Sequence, residues 1–413
     1  MSVDISMPAF SEWPDRGLDL EALYDDGWQP VPFDQYVVKI HSRCNLACDY
    51  CYMYELADQS WRDQPVVMAP AIASATAKRI AAHARRHELD AISVSFHGGE
   101  PLLAGHERIA ALAREFRSAV DSRVQLQLNV QTNGMLLTDR MLKALQAQDI
   151  TVGVSLDGDR TATDRHRLTR RGDSGYDRVE AGLERLTSPA YRHLFAGLLA
   201  VIDVDNDPVG TYESLARFAP PSIDLLLPHA TWAAPPPHKA TPDGGVDATD
   251  TTYGEWLNTA FDHWYDLGRS RVPVRLFRSA IRAWIGGSAD IEQLGTGALS
   301  FLVIETDGAI EQVDSLKVAF EGATGTGLHV LRDELDAAFR HPGVIARQIG
   351  IRALSPTCQS CRLRDICGGG QYAHRYKPMS GFLNNSVYCA DLMVFLDHVG
   401  DRLRADIATL RKA

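Results

Sequence analysis

The chain has no surplus of positive charge. Its 53 acidic side chains outnumber 42 basic ones and leave a formal net charge of −11. A general nucleic-acid binder normally carries a basic excess or stripe, so no nucleic-acid partner is expected. No apolar run approaches the ~18 residues of a membrane span, so no membrane association is expected either. Met1 to Phe10 carries Asp4 and neither lysine nor arginine, and so lacks the parts of a secretory signal; the expected location is cytoplasmic. Cysteine is missing from the whole middle of the chain, between Cys51 and Cys358.

The seven cysteines that are present fall at the two ends of that gap: Cys44, Cys48 and Cys51, then Cys358, Cys361, Cys367 and Cys389. A reducing cytosol disfavours structural disulfides. Cysteines that served only packing would scatter. Two groups of soft thiolates point to metal instead.

Between the groups, apolar strand patterns alternate with helical ones. The strands are Tyr36–Ile40, Ile92–Phe96, Val124–Val130, Val152–Leu156, Phe195–Ile202 and Ile223–Leu227. The helices are Ala71–His87, Glu107–Val120, Asp139–Gln148, Tyr176–Leu186 and Gly210–Phe218. This alternation implies βαβ units and a parallel sheet. Six strands are too few for a closed eight-stranded barrel and predict a partial, TIM-like (β/α)6 barrel. The expected division is an N-terminal extension over 1–34 with one short helix at Leu18–Tyr24, the barrel over 35–232, a linker with bridging helices over 233–300, and a cysteine-rich domain over 301–413. The bridging helices are Tyr253–Leu267 and Val274–Ile285. The last domain opens with a hairpin, Phe301–Ile304 and Ile310–Val313 around Thr306-Asp307-Gly308, and closes with a helix at Leu392–Leu410.

The first group, Cys44-x3-Cys48-x2-Cys51, directly follows the first strand and so belongs to a loop at its C-terminal end. Three thiolates on a short loop can hold three irons of a cubane cluster and leave the fourth open to another ligand. The competing reading is a zinc site completed by His41, although structural zinc usually uses paired C-x2-C knuckles. The spacing, with Tyr50 before the last cysteine, resembles the radical S-adenosylmethionine (SAM) superfamily. Gly98-Gly99-Glu100-Pro101 after the second strand resembles that superfamily's GGEP motif. Gln131-Thr132-Asn133-Gly134 and Ser155-Leu156-Asp157-Gly158, at the ends of the third and fourth strands, resemble its SAM-lining segments.

The resemblance implies a [4Fe–4S] cluster on Cys44, Cys48 and Cys51 with SAM on the open iron. It assigns SAM contacts to Tyr50, Gly98, Gly99, Glu100, Gln131, Asn133, Ser155 and Arg167. The glycines let backbone approach the methionine part, Glu100 accepts from its ammonium, and Arg167 pairs with its carboxylate. Taken alone, GGEP is also an ordinary strand-to-helix turn. Arg167 also reads as a solvated member of an arginine run with Arg160, Arg165, Arg170 and Arg171.

The second group, Cys358-x2-Cys361-x5-Cys367-x21-Cys389, offers four thiolates and a closed site, suited to structure or electron transfer. Zinc is again the competitor. The spacing resembles the SPASM extension of peptide-modifying radical SAM enzymes, in truncated form: cysteines of that family fall here on Val313 and Gln371, so the first auxiliary cluster's ligands are lost and the second's are complete. Two clusters in total are expected. Asp314 stands where sulfatase-modifying relatives place an acidic residue, and is the candidate base; it also reads as a turn cap at a hairpin end.

Leu225–Trp232, Gln312–Lys317, Cys367–Tyr376 and Gly381–Leu392 resemble FxsB-type maturases of ribosomally made peptides. That resemblance implies a precursor peptide as partner, a reductant such as flavodoxin or ferredoxin, and a cyclophane product in which an aromatic ring carbon is joined to the Cβ two residues later. SAM and iron carry the difficult Cβ–H cleavage. Other radical SAM peptide reactions (thioether formation, epimerisation, Cβ oxidation) stay open. His229, Trp232, His374, Arg375 and Tyr376 are candidates for a peptide groove; His229 and Trp232 also read as packing at the barrel end. Residues 1–34 are too short for a winged-helix leader-binding domain, so recognition is expected from a separate protein or from strand addition at a sheet edge.

Overall fold

The computed structural model describes residues 19–268, 271–289 and 291–410. The extension expected over 1–34 lies in part outside them; its described part holds a short helix, α1 (Leu20–Asp25), capped by Asp19, which accepts from the Ala22 amide.

One nine-stranded sheet organises the chain. Its strands are β1 (Gln35–His41), β2 (Ala91–Gly98), β3 (Gln125–Thr132), β4 (Ile150–Ser155), β5 (Phe195–Val201), β6 (Ile223–Leu226), β7 (Phe301–Ile304), β8 (Ala309–Glu311) and β9 (Gly325–His329). The order is β6-β5-β4-β3-β2-β1-β7-β8-β9. The six strands of the barrel run parallel and in sequence, as the alternation predicts. The hairpin β7–β8 also forms, but β7 lies parallel to β1 and extends the same sheet. The sequence pattern carries no sign of that partner, because pairing across more than two hundred residues leaves no local trace.

Parallel strands covered on both sides usually read as continuous apolar runs. These alternate instead. Tyr36, Val38, Ile40, Ile92, Val94, Phe96, Val130, Val152 and Val154 are fully buried and meet the helices in the main core. The residues between them, such as Lys39, His97, Gln131 and Ser155, face the concave side. The polar inner face is therefore written in the strands themselves.

The helix layer is α2 (Pro70–Arg86), α3 (His106–Ala119), α4 (Asp139–Ala147), α5 (Arg160–His166), α6 (Tyr176–Leu186) and α7 (Pro208–Ala216). On α2 the buried positions Ala73, Ala77, Ile80 and Ala84 recur at three- and four-residue steps, giving an apolar stripe that meets the sheet. Two of these starts are capped by side chains as follows: Thr138 accepts from Met141 N, and Asp207 precedes Pro208 and accepts from Gly210 N. The sequence pattern does not predict α5. Its sequence, RTATDRH, has no apolar stripe, and its start depends on Asp159 accepting from Ala162 N at 2.9 Å.

Beyond β6, α8 (Thr252–Asp266) and α9 (Arg275–Trp284) pack on the terminal helix, for which the intervening short helices α10 (Pro342–Ala346), α11 (Pro356–Gln359) and α12 (Arg364–Cys367) set the numbering: α13 (Cys389–Leu410). Phe261, Trp264, Phe277 and Phe395 form the aromatic contact, with ring centroids 5.3–6.1 Å apart where they touch. No described helix is long and apolar enough to cross a membrane.

His83 ties α2 to the far end of the sheet. Its Nε2 accepts from the Phe33 amide at 3.0 Å, and its Nδ1 donates to Asp336 at 2.5 Å. That pattern fixes a neutral ring. Burial lowers its pKa to about 4, against the pull of Asp336. The unfolded ring titrates near 6.5. Between those values the unfolded chain takes a proton that the fold refuses, so stability falls as the pH drops through that window. At pH 5 this group alone is expected to cost about 2 kcal/mol relative to pH 7. Urea midpoints at both pH values, for the wild type and for His83→Gln, measure it; equal pH dependence in the two proteins would remove His83 as the cause.

Candidate active site

The first cysteine group lies on the loop leaving β1. Its course is set by neighbours at the C-terminal strand ends. Gly99 N donates to His41 O (2.9 Å) and Glu100 N to Arg43 O (3.0 Å). A Cβ at Gly98, where φ is 140°, would lie 2.1 Å from the His41 carbonyl oxygen, and one at Gly99 would lie 1.8 Å from the Tyr54 hydroxyl. These glycines are pressed against the cysteine loop, and that close approach is what requires them. Glu100 is fully buried and takes three donors: Leu102 N (2.9 Å), Thr132 Oγ1 (2.7 Å) and Asn133 N (2.8 Å). It clamps the end of β2 to the end of β3.

Asn133 continues the brace. Its Nδ2 donates to Asn45 Oδ1 (2.7 Å) and lies 3.7 Å from Cys44 Sγ. Gln131 Nε2 donates to Ser155 Oγ at 2.9 Å, joining two predicted contacts. Gly153 makes room for that reach, since a Cβ there would lie 2.2 Å from Gln131 Oε1. Arg167 is buried and is not the solvated arginine of the alternative reading. Its Nη1 donates to the Tyr50 hydroxyl at 2.9 Å, and Tyr50 in turn donates to Asp157. Arg170 of the same run donates to the Cys44 carbonyl oxygen (2.9 Å). Gly98, Gly99, Glu100, Asn133 and Arg167 thus gather around the loop that carries Tyr50, while Gln131 and Ser155 meet each other on neighbouring strands.

Burial pushes the Cys44 thiol up to about 11 and the Cys51 thiol up to about 12, and raises Cys48 as well. Such thiols give up their protons to a cation. Zinc is a poor fit. Its Zn–S bonds of about 2.3 Å would hold tetrahedral sulfurs about 3.8 Å apart. Among the described residues, the sets of three ligand atoms within 4.8 Å of one another are His83–His87–Asp336 and Glu305–Glu311–Asp314; no three cysteines form one. Both cysteine groups are set wider than a single zinc would hold them. A cubane, with one sulfur on each of several irons, suits the wider spacing. His41 is also engaged elsewhere, its Nδ1 lying 3.0 Å from Arg43 O.

A cavity of about 550 Å³ opens beside this loop, between the barrel's concave face and the C-terminal region. Tyr52, His97, His229 and Asp314 line it. Asp314 begins a 3-10 turn (Asp314–Val318) but caps nothing. Its carboxylate instead meets Lys39 of β1, with Oδ1 2.5 Å from Nζ. Lys39 also binds Glu305, while Lys317 lies 3.4–3.7 Å from Asp58, Glu305 and Glu311. Two ammonium groups thus fill the Glu305–Glu311–Asp314 cluster. Burial raises Glu311 to about 7, with Lys317 opposing. Sequence reasoning missed Lys39, although a lysine inside Tyr36-Val37-Val38-Lys39-Ile40 was the available signal.

Of the suggested groove residues, His229 and Arg375 line the cavity. His374 is buried beside His229 and Tyr388. Trp232 donates to Asn385 O (2.8 Å), and Tyr376 packs on Phe320 and Phe382. These last three serve packing.

The second cysteine group converges from three elements: Cys358 on α11, Cys361 after it, Cys367 ending α12 and Cys389 opening α13. Ser355 caps α11, and Leu363 N donates to Cys361 Sγ (3.4 Å). Burial raises Cys367 to about 12 and raises Cys389. Val313 and Gln371, the positions of the missing cysteines, both line the cavity.

Residues 38–208 match the sequence profile of the Radical SAM superfamily. A cysteine-type anaerobic sulfatase-maturating enzyme of Clostridium perfringens (strain 13 / Type A) is 25% identical over 378 residues, 90% of this chain and 97% of that one. A serine-type counterpart from Klebsiella aerogenes is 26% identical over 357 residues, 84% and 81% of the two chains. Among solved structures, native anSMEcpe with bound AdoMet superposes with a TM-score of 0.75 at 21% identity, over 91% of this chain and 99% of that one. Streptococcus suis SuiB bound to its precursor peptide SuiA gives 0.57 at 16% identity, over 89% and 78%. At these identities the structural likeness is one of fold. Residues 38–208 carry a radical SAM domain, which with the sulfatase-maturating relatives indicates an enzyme, a radical SAM oxidoreductase; the cysteine motifs fit [4Fe–4S] iron–sulfur beside SAM.

Proposed function

We propose that the enzyme crosslinks a ribosomally made precursor peptide, joining an aromatic ring carbon to the Cβ of the residue two positions later. The observation that carries this reading is the cavity wall: Asp314, held by Lys39, faces a space large enough for side chains of a peptide and close to the cysteine loop through Tyr52. The relatives are sulfatase-maturating enzymes, and structural neighbours are seen with bound peptides. Both facts favour a peptide as substrate.

The bound cofactors supply one-electron cleavage of SAM and removal of a hydrogen atom from carbon. Cys44, Cys48 and Cys51 hold the SAM-binding cluster. Tyr50, Arg167, Ser155, Gln131 and Asn133 line the SAM side, with Gly98, Gly99 and Glu100 fixing the loop. Cys358, Cys361, Cys367 and Cys389 hold a second, auxiliary cluster. Ring closure on the aromatic carbon requires loss of one further proton and one electron. Asp314 takes the proton. The Lys39 ammonium orients its carboxylate, and Glu305 keeps the lysine paired when that charge is neutralised. A cluster held there would serve as the acceptor for that electron, and a reductant such as flavodoxin or ferredoxin would supply the starting electron. The peptide adds to an edge of the sheet, where β9 and β6 are the outermost described strands.

The second reading is Cβ oxidation of the sulfatase-maturing kind, favoured by relatives matched along 97% of their length. Both begin at Cβ and need the same proton acceptor. The purified enzyme, incubated anaerobically with SAM, dithionite and the peptide encoded by the adjacent small reading frame, separates them. A crosslink removes two hydrogens, gives fragments that stay joined across the ring, and leaves nothing for a hydrazide probe. A hydrazide-reactive aldehyde would establish oxidation instead, and an unchanged mass with altered retention would mean epimerisation. Iron of about eight per chain agrees with two cubanes; about four iron with one zinc removes the auxiliary cluster.

A further inference from the structure

Three consecutive glycines, Gly368, Gly369 and Gly370, follow Cys367, and all have positive φ: 62°, 79° and 68°. Such a run is open only to glycine at low cost. A side chain at Gly368 would also lie 1.8 Å from the Gly295 carbonyl oxygen. The run turns its carbonyls to one side, where a single guanidinium collects them. Arg375 Nε donates to Gly369 O (3.1 Å), and its Nη2 donates to Gly368 O (2.6 Å) and Gly370 O (2.8 Å). The run is tied back to the cysteine through backbone, Gly370 N donating to Cys367 O at 3.1 Å. Successive amides of left-handed residues form the concave nests that hold anions, iron–sulfur groups among them.

Arg375 is buried, at 6% exposure. Among the described residues it forms no salt bridge; its other neighbour is the Tyr372 ring, 5.2 Å from the guanidinium carbon. Glu292, the carboxylate of this region, is bonded to Arg347 at 3.0 Å. A buried cation without an anion is costly. The anion on offer is the four-thiolate site, since Gly368, whose carbonyl Arg375 holds at 2.6 Å, directly follows Cys367.

We propose that Arg375 is the counter-ion of the auxiliary cluster and sets its reduction potential, acting through the triple-glycine loop as a positioning residue. The proposal rests on the reading of Cys358, Cys361, Cys367 and Cys389 as a cluster site. With four thiolates, the oxidised cubane carries a total charge of about −2, and taking up one electron makes it about −3. A fixed positive charge one peptide layer away stabilises the more negative state and raises the potential. The electron released when the aromatic ring is restored then has a downhill acceptor, while its proton goes to Asp314.

The test uses reconstituted full-length protein: the wild type, Arg375→Gln and Arg375→Lys, with iron analysis and an EPR potentiometric titration. Addition of SAM marks which signal belongs to the SAM cluster. Wild-type iron of about four per chain would end the cluster reading, and the proposal with it. At about eight, the variants decide. Arg375→Gln should shift the auxiliary midpoint negative by a tenfold change in the reduction equilibrium, about 59 mV for one electron, with Arg375→Lys shifting less than half as far. Loss of the auxiliary cluster in Arg375→Gln with its retention in Arg375→Lys also supports the proposal, since charge is then what holds it. An unshifted midpoint in Arg375→Gln overturns it. So does loss of the cluster in both variants, which would make the role that of the guanidinium's shape.

Discussion

Replacing Cys48 by serine is expected to reduce cleavage of SAM to 5′-deoxyadenosine at least about 10³-fold, to the level of enzyme-free controls. The reason is local. Cys48 is the middle thiolate of a three-ligand set, and a serine hydroxyl stays protonated where a thiol can be drawn off by iron. The rest of the loop needs no thiol. Ala47 N donates to Leu168 O (2.8 Å), Cys51 N to Cys48 O (3.1 Å), and Gly99 and Glu100 bond the loop's start through backbone alone. The variant should therefore fold, keep the iron of the distant four-cysteine site, and lose only the SAM-binding cluster. Chromatography of the quenched reaction and iron analysis measure both parts. Cleavage at a rate near that of the wild type would show that this loop is not where SAM is reduced.

Replacing Asp314 by asparagine is expected to separate two activities that Cys48→Ser removes together. Asparagine keeps the shape but cannot accept a proton. Loss of a positioned base typically costs 10²–10⁴-fold, and modified peptide should fall by about that factor. SAM cleavage should continue, because Asp314 lies on the cavity wall and touches Lys39, and none of the proposed SAM residues is among the cavity's lining. The mark of this result is deoxyadenosine produced with little modified peptide to match it. The amide also leaves Lys39 with Glu305 as its anion, so a denaturation midpoint belongs beside the kinetic result. If the asparagine variant makes product at the wild-type rate, the proton goes elsewhere and the base assignment fails.

Much of this molecule is legible in its residues, for reasons that differ by element. The barrel strands are marked by Val, Ile and Leu at alternate positions, and α6 is legible to its ends because its apolar stripe is regular and Leu186 closes it. The cysteine groups are legible because packing alone seldom sets soft ligands at such fixed spacing. The functions of Gly98, Gly99 and Glu100 are less so. Their motif points to the cofactor, and the contacts they make here are to the loop that holds the cysteines, which is information about three-dimensional neighbours. Lys39 and Asp314 come from strand and turn segments far apart in the chain, and only the pairing of β1 with β7 brings them together. Arg375 reads in sequence as a groove residue; the three carbonyls that it gathers depend on backbone angles that no side-chain pattern encodes.

The pairing of β7 with β1 carries a consequence for how such enzymes diversify. Neighbouring strands in a sheet lie about 4.8 Å apart whatever the loops between them do. The strand that feeds the cysteine loop and the hairpin that leads to Asp314 are such neighbours, so the spacing between the radical source and the base is set by a ladder of hydrogen bonds. The long excursion from β6 to β7 meets the sheet at the bridge Ile223–Val274, away from β1 and β7, and residues 291–300 of it form one wall of the cavity. Changes in its length or composition would alter which side chains fit and leave the reacting groups in register.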